Sequence, residues 1–161
     1  MLAPERAVSR PGAAIFWASL VSGTLDITAA FVVYGFFGAH PIPLLQGIAA
    51  GLLGPRSQQG GLATATLGLA CHYFIAFSAA MVYYAASRLF TLLREHAIVC
   101  GALYGVAVYF FMNRVVVPIS AAHKYPFSWK MMFIGVTIHI FCVGLPISLT
   151  TPFAARRAPP F

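Results

Sequence analysis

From Ser57 to Ser87 the chain carries not one Lys, Arg, Asp or Glu. About twenty such residues cross a bilayer as a helix. The run has three companions, and together they mark four apolar spans: from about Ala13 to Gly38, Leu62 to Ser87, Ala97 to Ile119 and Met131 to Thr150. Lipid offers no partner to a backbone amide, so each span must close its hydrogen bonds internally, as a helix. The runs are continuously apolar rather than alternating, which argues against a β-barrel. The expectation is an all-α polytopic membrane protein, a four-helix bundle forming one transmembrane domain over the 161 residues.

Composition agrees. Hydrophobic residues make up 60% and charged residues 8%, against roughly a quarter charged in soluble domains. The net charge of +7 does not point to nucleic acid, because the basic residues stand singly or in pairs beside the spans and form no stripe interleaved with aromatics. Basic residues in those places set topology, and the bilayer is the first partner. Arg6, Arg10, Arg88, Arg94, Arg156 and Arg157 share one side; Arg56, Lys124 and Lys130 share the other, with Arg114 near its boundary. The excess places both termini in the cytoplasm. The opening apolar stretch is too long for a signal peptide and reads as an uncleaved first span.

Between the first two spans lies "HPIPLLQGIAAGLLGPRSQQGG". Pro41 and Pro43 suit a helix start and Gly54-Pro55 a stop. Leu44, Leu45, Ile48, Leu52 and Leu53 share one face, so a short helix at about 42–54 is expected, lying in the membrane interface rather than re-entrant and packed on the bundle.

The second and fourth spans share a motif. "GLACHYF" (Gly68 to Phe74) and "GVTIHIF" (Gly135 to Phe141) both read G-x-x-x-H-x-F. Upstream, "GTLD" begins at Gly23 and "GALY" at Gly101, giving glycine offsets of 45 residues (23 to 68) and 34 (101 to 135). The longer offset accommodates the short helix. A two-helix unit duplicated as a parallel repeat explains the pattern. Gly23, Gly68, Gly101 and Gly135 are then expected at helix contacts, where a missing side chain lets a neighbour approach.

The polar residues inside the spans carry the chemical expectations. His72 and His139 lie roughly 12–15 Å deep by helical rise, and Asp26 reaches a similar level from the other side. An acid at that depth is a functional candidate, because placing it there costs several kcal/mol. Its bland alternatives are a neutral carboxyl or a clasp with Arg114, which lies within about 6 Å of the same height. The histidines either hold helices together or do chemistry. Asp26, His72, His139 and Cys142 form a candidate metal or proton site, since imidazole, thiolate and carboxylate are natural ligands. His72 and His139 could instead be axial ligands of a haem b. Tyr104, Asn113 and Arg114 extend this intramembrane cluster. No cofactor is the first expectation, with haem b or a divalent metal as alternatives. The cysteines, Cys71, Cys100 and Cys142, are odd in number and lack C-x-x-C spacing, which argues against a disulfide frame and a zinc ribbon. No nucleophile–base pair, phosphate loop or H-E-x-x-H motif is present, so an enzyme is not expected.

His72 and the "AFSAAMVYY" after it, "CGALYG" at Cys100 to Gly105, Pro118-Ile119, and the helix with His139 follow one another in an order that resembles the YagU-type family of uncharacterised bacterial inner-membrane proteins. The resemblance covers about the last two-thirds of the chain. It implies an inner-membrane location and no established chemistry, and it transfers no binding residue. Two functions from different classes follow from the residues. The first is handling of a proton, metal ion or small solute through the polar centre. The second is a non-catalytic accessory subunit of a larger membrane complex. A haem-bearing electron carrier is third. A bundle this small implies a homo-oligomer or a larger assembly under any of them.

Overall fold

The computed structural model describes residues 11–155, with side chains described for residues 11–150. Arg6, Arg10, Arg156 and Arg157 of the topology count lie outside these residues. The described residues are helical, with no strand. Helix α1 is Pro11–Gly35, α2 Pro41–Leu53 and α3 Gly61–Leu89; α4 is Ala97–Ile119, and α5 is Trp129–Thr150 with its last turn reaching Ala155. Four of these, α1, α3, α4 and α5, are long and apolar enough to cross a membrane. At 1.5 Å per residue each covers or exceeds a hydrocarbon core of about 30 Å. The protein is a helical membrane bundle.

Its interior is built from small residues. Ala18, Ser22, Gly23, Ala49, Ala65, Gly68, Ala76, Ala80, Ser87, Gly101, Gly105, Gly144 and Ser148 are buried, whereas Phe36, Leu62, Phe74 and Ile119 are 85%, 71%, 71% and 81% exposed. This inverts the pattern of a water-soluble protein, and it is what lipid dictates. Acyl chains are as apolar as leucine, so nothing drives large apolar side chains inward, and helices associate where small residues let their backbones touch.

Laterally, α1 packs between α3 and α5, and α4 packs on α5. The row curls until α3 meets α4 at one end. There Tyr104 Oη donates to Ala79 O at 2.7 Å, and the Tyr83 and Tyr104 rings meet edge to face at 5.0 Å. Tyr83 Oη donates to Leu93 O at 3.0 Å, tying down the connection between α3 and α4. The buried apolar cluster, Ala18, Ala80, Tyr83, Val143 and Ile147, lies wholly in this half, which contains the start of α1 and the end of α3. We call it the closed end. Toward the other end burial thins on α1, α4 and α5, while α3 keeps Ala65 and Gly68 buried beside α2. On α1 it stops at Ile27, on α4 at Gly105, and the part of α5 before Val143 buries Gly135 alone. The spanning helices splay there.

The short helix is present, as Pro41–Leu53. Its leucine face turns away from the bundle at the far end, where Leu52 and Leu53 are 68% and 44% exposed; Leu44, Leu45 and Ile48 are half-buried, and Gln46 and Ala49 are 4% and 0% exposed. It packs through its small face, with Gly68 of α3 against the backbone at Leu45 and Ala49. Gln46 Nε2 donates to Gly61 O at 2.9 Å, and Ala121 N donates to Gly51 O at 3.0 Å. Helix α2 is therefore a strap from α3 to the far end of α4. Gly54 and Gly61 adopt φ of +63° and +57°, which lets the chain leave α2 and turn into α3.

Two spans are also less regular than their composition suggests. α4 widens into a π-helical stretch at Met112–Val116, and α5 does so at His139–Gly144. Such widened turns concentrate at functional sites.

Candidate functional site

Asp26 is the starting point, since it is the one acid inside the spans; the others, Glu5 and Glu95, lie outside them. It follows buried Ser19 by seven residues, Ser22 by four and Gly23 by three, so its side chain leaves α1 on the stripe facing the bundle. It is about 22 Å from the start of α1 by helical rise. Yet it is only half-buried, and it makes no hydrogen bond or ion pair with the described residues. The buried polar side-chain atoms left without a partner among the described residues are Ser57 Oγ and Arg94 Nε. The unpaired Asp26 carboxylate therefore keeps accessible surface. Tyr34 of α1 and Cys142 of α5 lie within electrostatic range of it.

His72 is used differently. Its Nε2 sits 2.8 Å from Gly23 O, and since a carbonyl only accepts, this nitrogen carries the proton. One residue on, Tyr73 Oη and Thr24 Oγ1 share a hydrogen bond of 2.8 Å. Gly23 makes both possible, because a Cβ there would press on the Tyr73 ring and Ala76. These contacts lock α1 to α3 one helical turn from Asp26.

His139 does not repeat that arrangement. Its Nδ1 donates to Gly135 O of its own helix at 2.9 Å, and its ring meets Tyr109 edge to face at 5.4 Å. Gly135 sits under the Tyr109 ring. The close approach of α4 to α5 is made instead by Gly101, Gly105 and Gly144. A Cβ at Gly105 would strike the backbone of His139 and Ile140, and one at Gly144 would strike Gly101 O.

The expected cluster does not assemble as one centre. His72 belongs to the α1–α3 seam and His139 to the α4–α5 seam. Tyr104 lies in the closed half, bound to Ala79 O. Asn113 is exposed and donates to Tyr109 O of its own helix at 2.9 Å. Arg114 is exposed and does not clasp Asp26. The metal site of Asp26, His72, His139 and Cys142 is not formed: among the described residues no three His, Cys, Asp or Glu gather closely enough to hold an ion. The physical reason is visible in the hydrogen bonds, because each imidazole is held by a backbone carbonyl on a separate seam. The same geometry argues against a haem b between His72 and His139. His72 presents to Gly23 the nitrogen that would bind iron from outside the ring. A groove of about 270 Å³ between α1 and α3, on the closed-end side of Asp26, is lined by Phe16, Ser19, Leu20, Tyr73 and Phe77 and includes neither histidine.

Two features escaped the sequence reading. Gly101-x-x-x-Gly105 and Gly144-x-x-x-Ser148 are small-residue pairs at one-turn spacing, a recognised signal of close helix packing. Tyr34 and Tyr109, within electrostatic range of each other, join Asp26 and His139 in the splayed half. Tyr34 follows Asp26 by eight residues, near enough to a shared face for its spacing to have suggested this. The chain matches no protein-family model, no curated protein and no solved structure.

Proposed function

We propose that this chain handles a proton or small monovalent cation at Asp26, in a bacterial inner membrane with both termini in the cytoplasm. The observation that carries the reading is an inward-facing, mid-span carboxylate that is unpaired but accessible. An acid placed so costs several kcal/mol, and Asp26 makes no hydrogen bond or ion pair with the described residues in return. Such a group makes physical sense if its partner is a transient ion. A divalent ion would ask for several oxygen ligands, commonly more than one carboxylate, and Asp26 stands without a second acid.

Reconstitution tests this. In proteoliposomes the wild type should dissipate an imposed proton or sodium gradient, and Asp26→Asn should abolish that flux. Equal flux in both proteins, or none in the wild type, would count against the reading.

A second reading has its own support. His72, Thr24, Tyr73, Tyr83 and Tyr104 all spend their polar atoms on holding the bundle together, as an accessory subunit without chemistry would. Extraction in gentle detergent should then recover stoichiometric companions, whereas a lone chain that conducts would favour the first reading.

A further inference from the structure

The next inference rests on Asp26 being the working group, and it concerns the route by which an ion reaches it. We infer that Asp26 lies at the floor of a water-filled vestibule that opens only at the splayed end of the bundle, where α1 ends and α3 begins. Three observations converge on this.

The first is the distribution of burial. Below Asp26 the bundle is sealed by Ala18, Ala80, Tyr83, Val143 and Ile147, and α3 is fastened to α4 by Tyr104. Above it no residue of α1 is buried beyond Ile27, one position away. The floor of the splayed half and the position of the acid therefore coincide.

The second is the distribution of polar groups. Tyr34, Tyr109 and His139 share the splayed half with Asp26, and Asn113 and Arg114 stand farther along α4 toward its mouth. His139 donates through Nδ1, so Nε2 is left as the nitrogen free to meet water. In the sealed half the tyrosines Tyr83 and Tyr104 are already bonded to backbone carbonyls. Water is the occupant that suits this lining. Acyl chains against a carboxylate would impose the full cost of an intramembrane charge.

The third is the strap. Helix α2 is fastened to α3 through Gln46 and to the end of α4 through Gly51. It spans from α3 to the end of α4, so in this arrangement it stands between the vestibule and the lipid on that side. Its Leu52 and Leu53 turn outward, while Gln46 and Ala49 are buried against α3 and hold it in place.

The consequence is a one-ended site. An ion enters and leaves from the splayed end, and passage across requires the Tyr83–Tyr104 closure to open. By the proposed topology the splayed end faces away from the cytoplasm.

Thiol accessibility tests this independently of transport. Cys71, Cys100 and Cys142 are first replaced by Ala, and single cysteines are then introduced at Ala30 and Val33, four and seven residues above Asp26 on its face, and at Ala18 and Ala80 in the seal. A charged, impermeant thiol reagent is applied to each side of oriented membrane vesicles. Only a water-exposed thiolate reacts, so Ala30→Cys and Val33→Cys should be modified from the splayed side roughly tenfold faster than Ala18→Cys and Ala80→Cys from either side. Equal rates at all four positions, or reaction of the seal positions from the opposite face, would overturn the one-ended vestibule. So would inert thiols at both Ala30 and Val33, the result expected if a partner helix or lipid fills the splayed half. Modification of Ala30→Cys should also block flux, and running proton and sodium gradients separately identifies which ion uses the route; block of neither would count against it. If Ala30→Cys is modified as expected while Asp26→Asn still conducts, the vestibule stands and the functional reading falls.

Discussion

The α1–α3 hairpin and the α4–α5 hairpin carry the same G-x-x-x-H-x-F motif, and they hold together by different physics. In the first, side chains cross the gap: His72 reaches the Gly23 carbonyl and Tyr73 meets Thr24. In the second, backbones touch directly at Gly101, Gly105 and Gly144, and His139 turns back onto its own helix at Gly135. The difference follows from where the small residues fall. Gly101-x-x-x-Gly105 meets Gly144-x-x-x-Ser148 and draws α4 and α5 so close that His139 has no gap to span. The α5 backbone widens to a π turn at this contact. A shared motif thus marks where helices meet without dictating what makes the contact.

Substitutions should separate the two modes, measured as reversible unfolding in detergent. The largest loss is expected at Gly105→Ala. Its Cβ would strike the His139 backbone, which cannot rotate away, at a cost of about 2–3 kcal/mol or outright failure to fold. Stability within about 0.5 kcal/mol of wild type would contradict the backbone-contact account. His72→Ala removes an interhelical hydrogen bond and should cost about 1 kcal/mol, whereas His139→Ala removes one within a helix and should cost less than half of that. Equal losses would mean that the hairpins are built alike. Tyr73→Phe, which removes one hydroxyl contact, should cost about 0.6 kcal/mol.

The four spans were readable because a run of apolar residues maps directly onto a bilayer-length helix, with no need to know what touches what. The run read from Leu62 to Ser87, for example, is found as Gly61–Leu89. The short helix was readable as a helix with leucines turned from the bundle, but not in the small face that docks it on α3. Leu52 and Leu53 point away from the protein because lipid, unlike water, exerts no pressure to bury them. The π turns were not readable, since neither "MNRVV" nor "GVTIHIF" carries a local mark of them; the one at His139–Gly144 falls where Gly101 and Gly105 meet α5. At the candidate site, Asp26 was conspicuous as a lone acid. The failure of His72, His139 and Asp26 to converge was not, because depth along a helix can be counted from the sequence while direction around the bundle depends on packing.

Asp26 is where these lines meet: next to the sealed half, within the splayed half, and on the face of α1 that looks inward. Its accessibility can be probed by a water-soluble carbodiimide with an added amine, which couples carboxyls that meet water, followed by mass spectrometry of the peptides. In native membranes the account predicts stable label on the Asp26 peptide and none there in Asp26→Asn. A wild-type protein labelled only at Glu5 or Glu95, with Asp26 unmodified, would show the acid to be shut away or engaged, and would contradict the claim that it waits there unpaired for an ion.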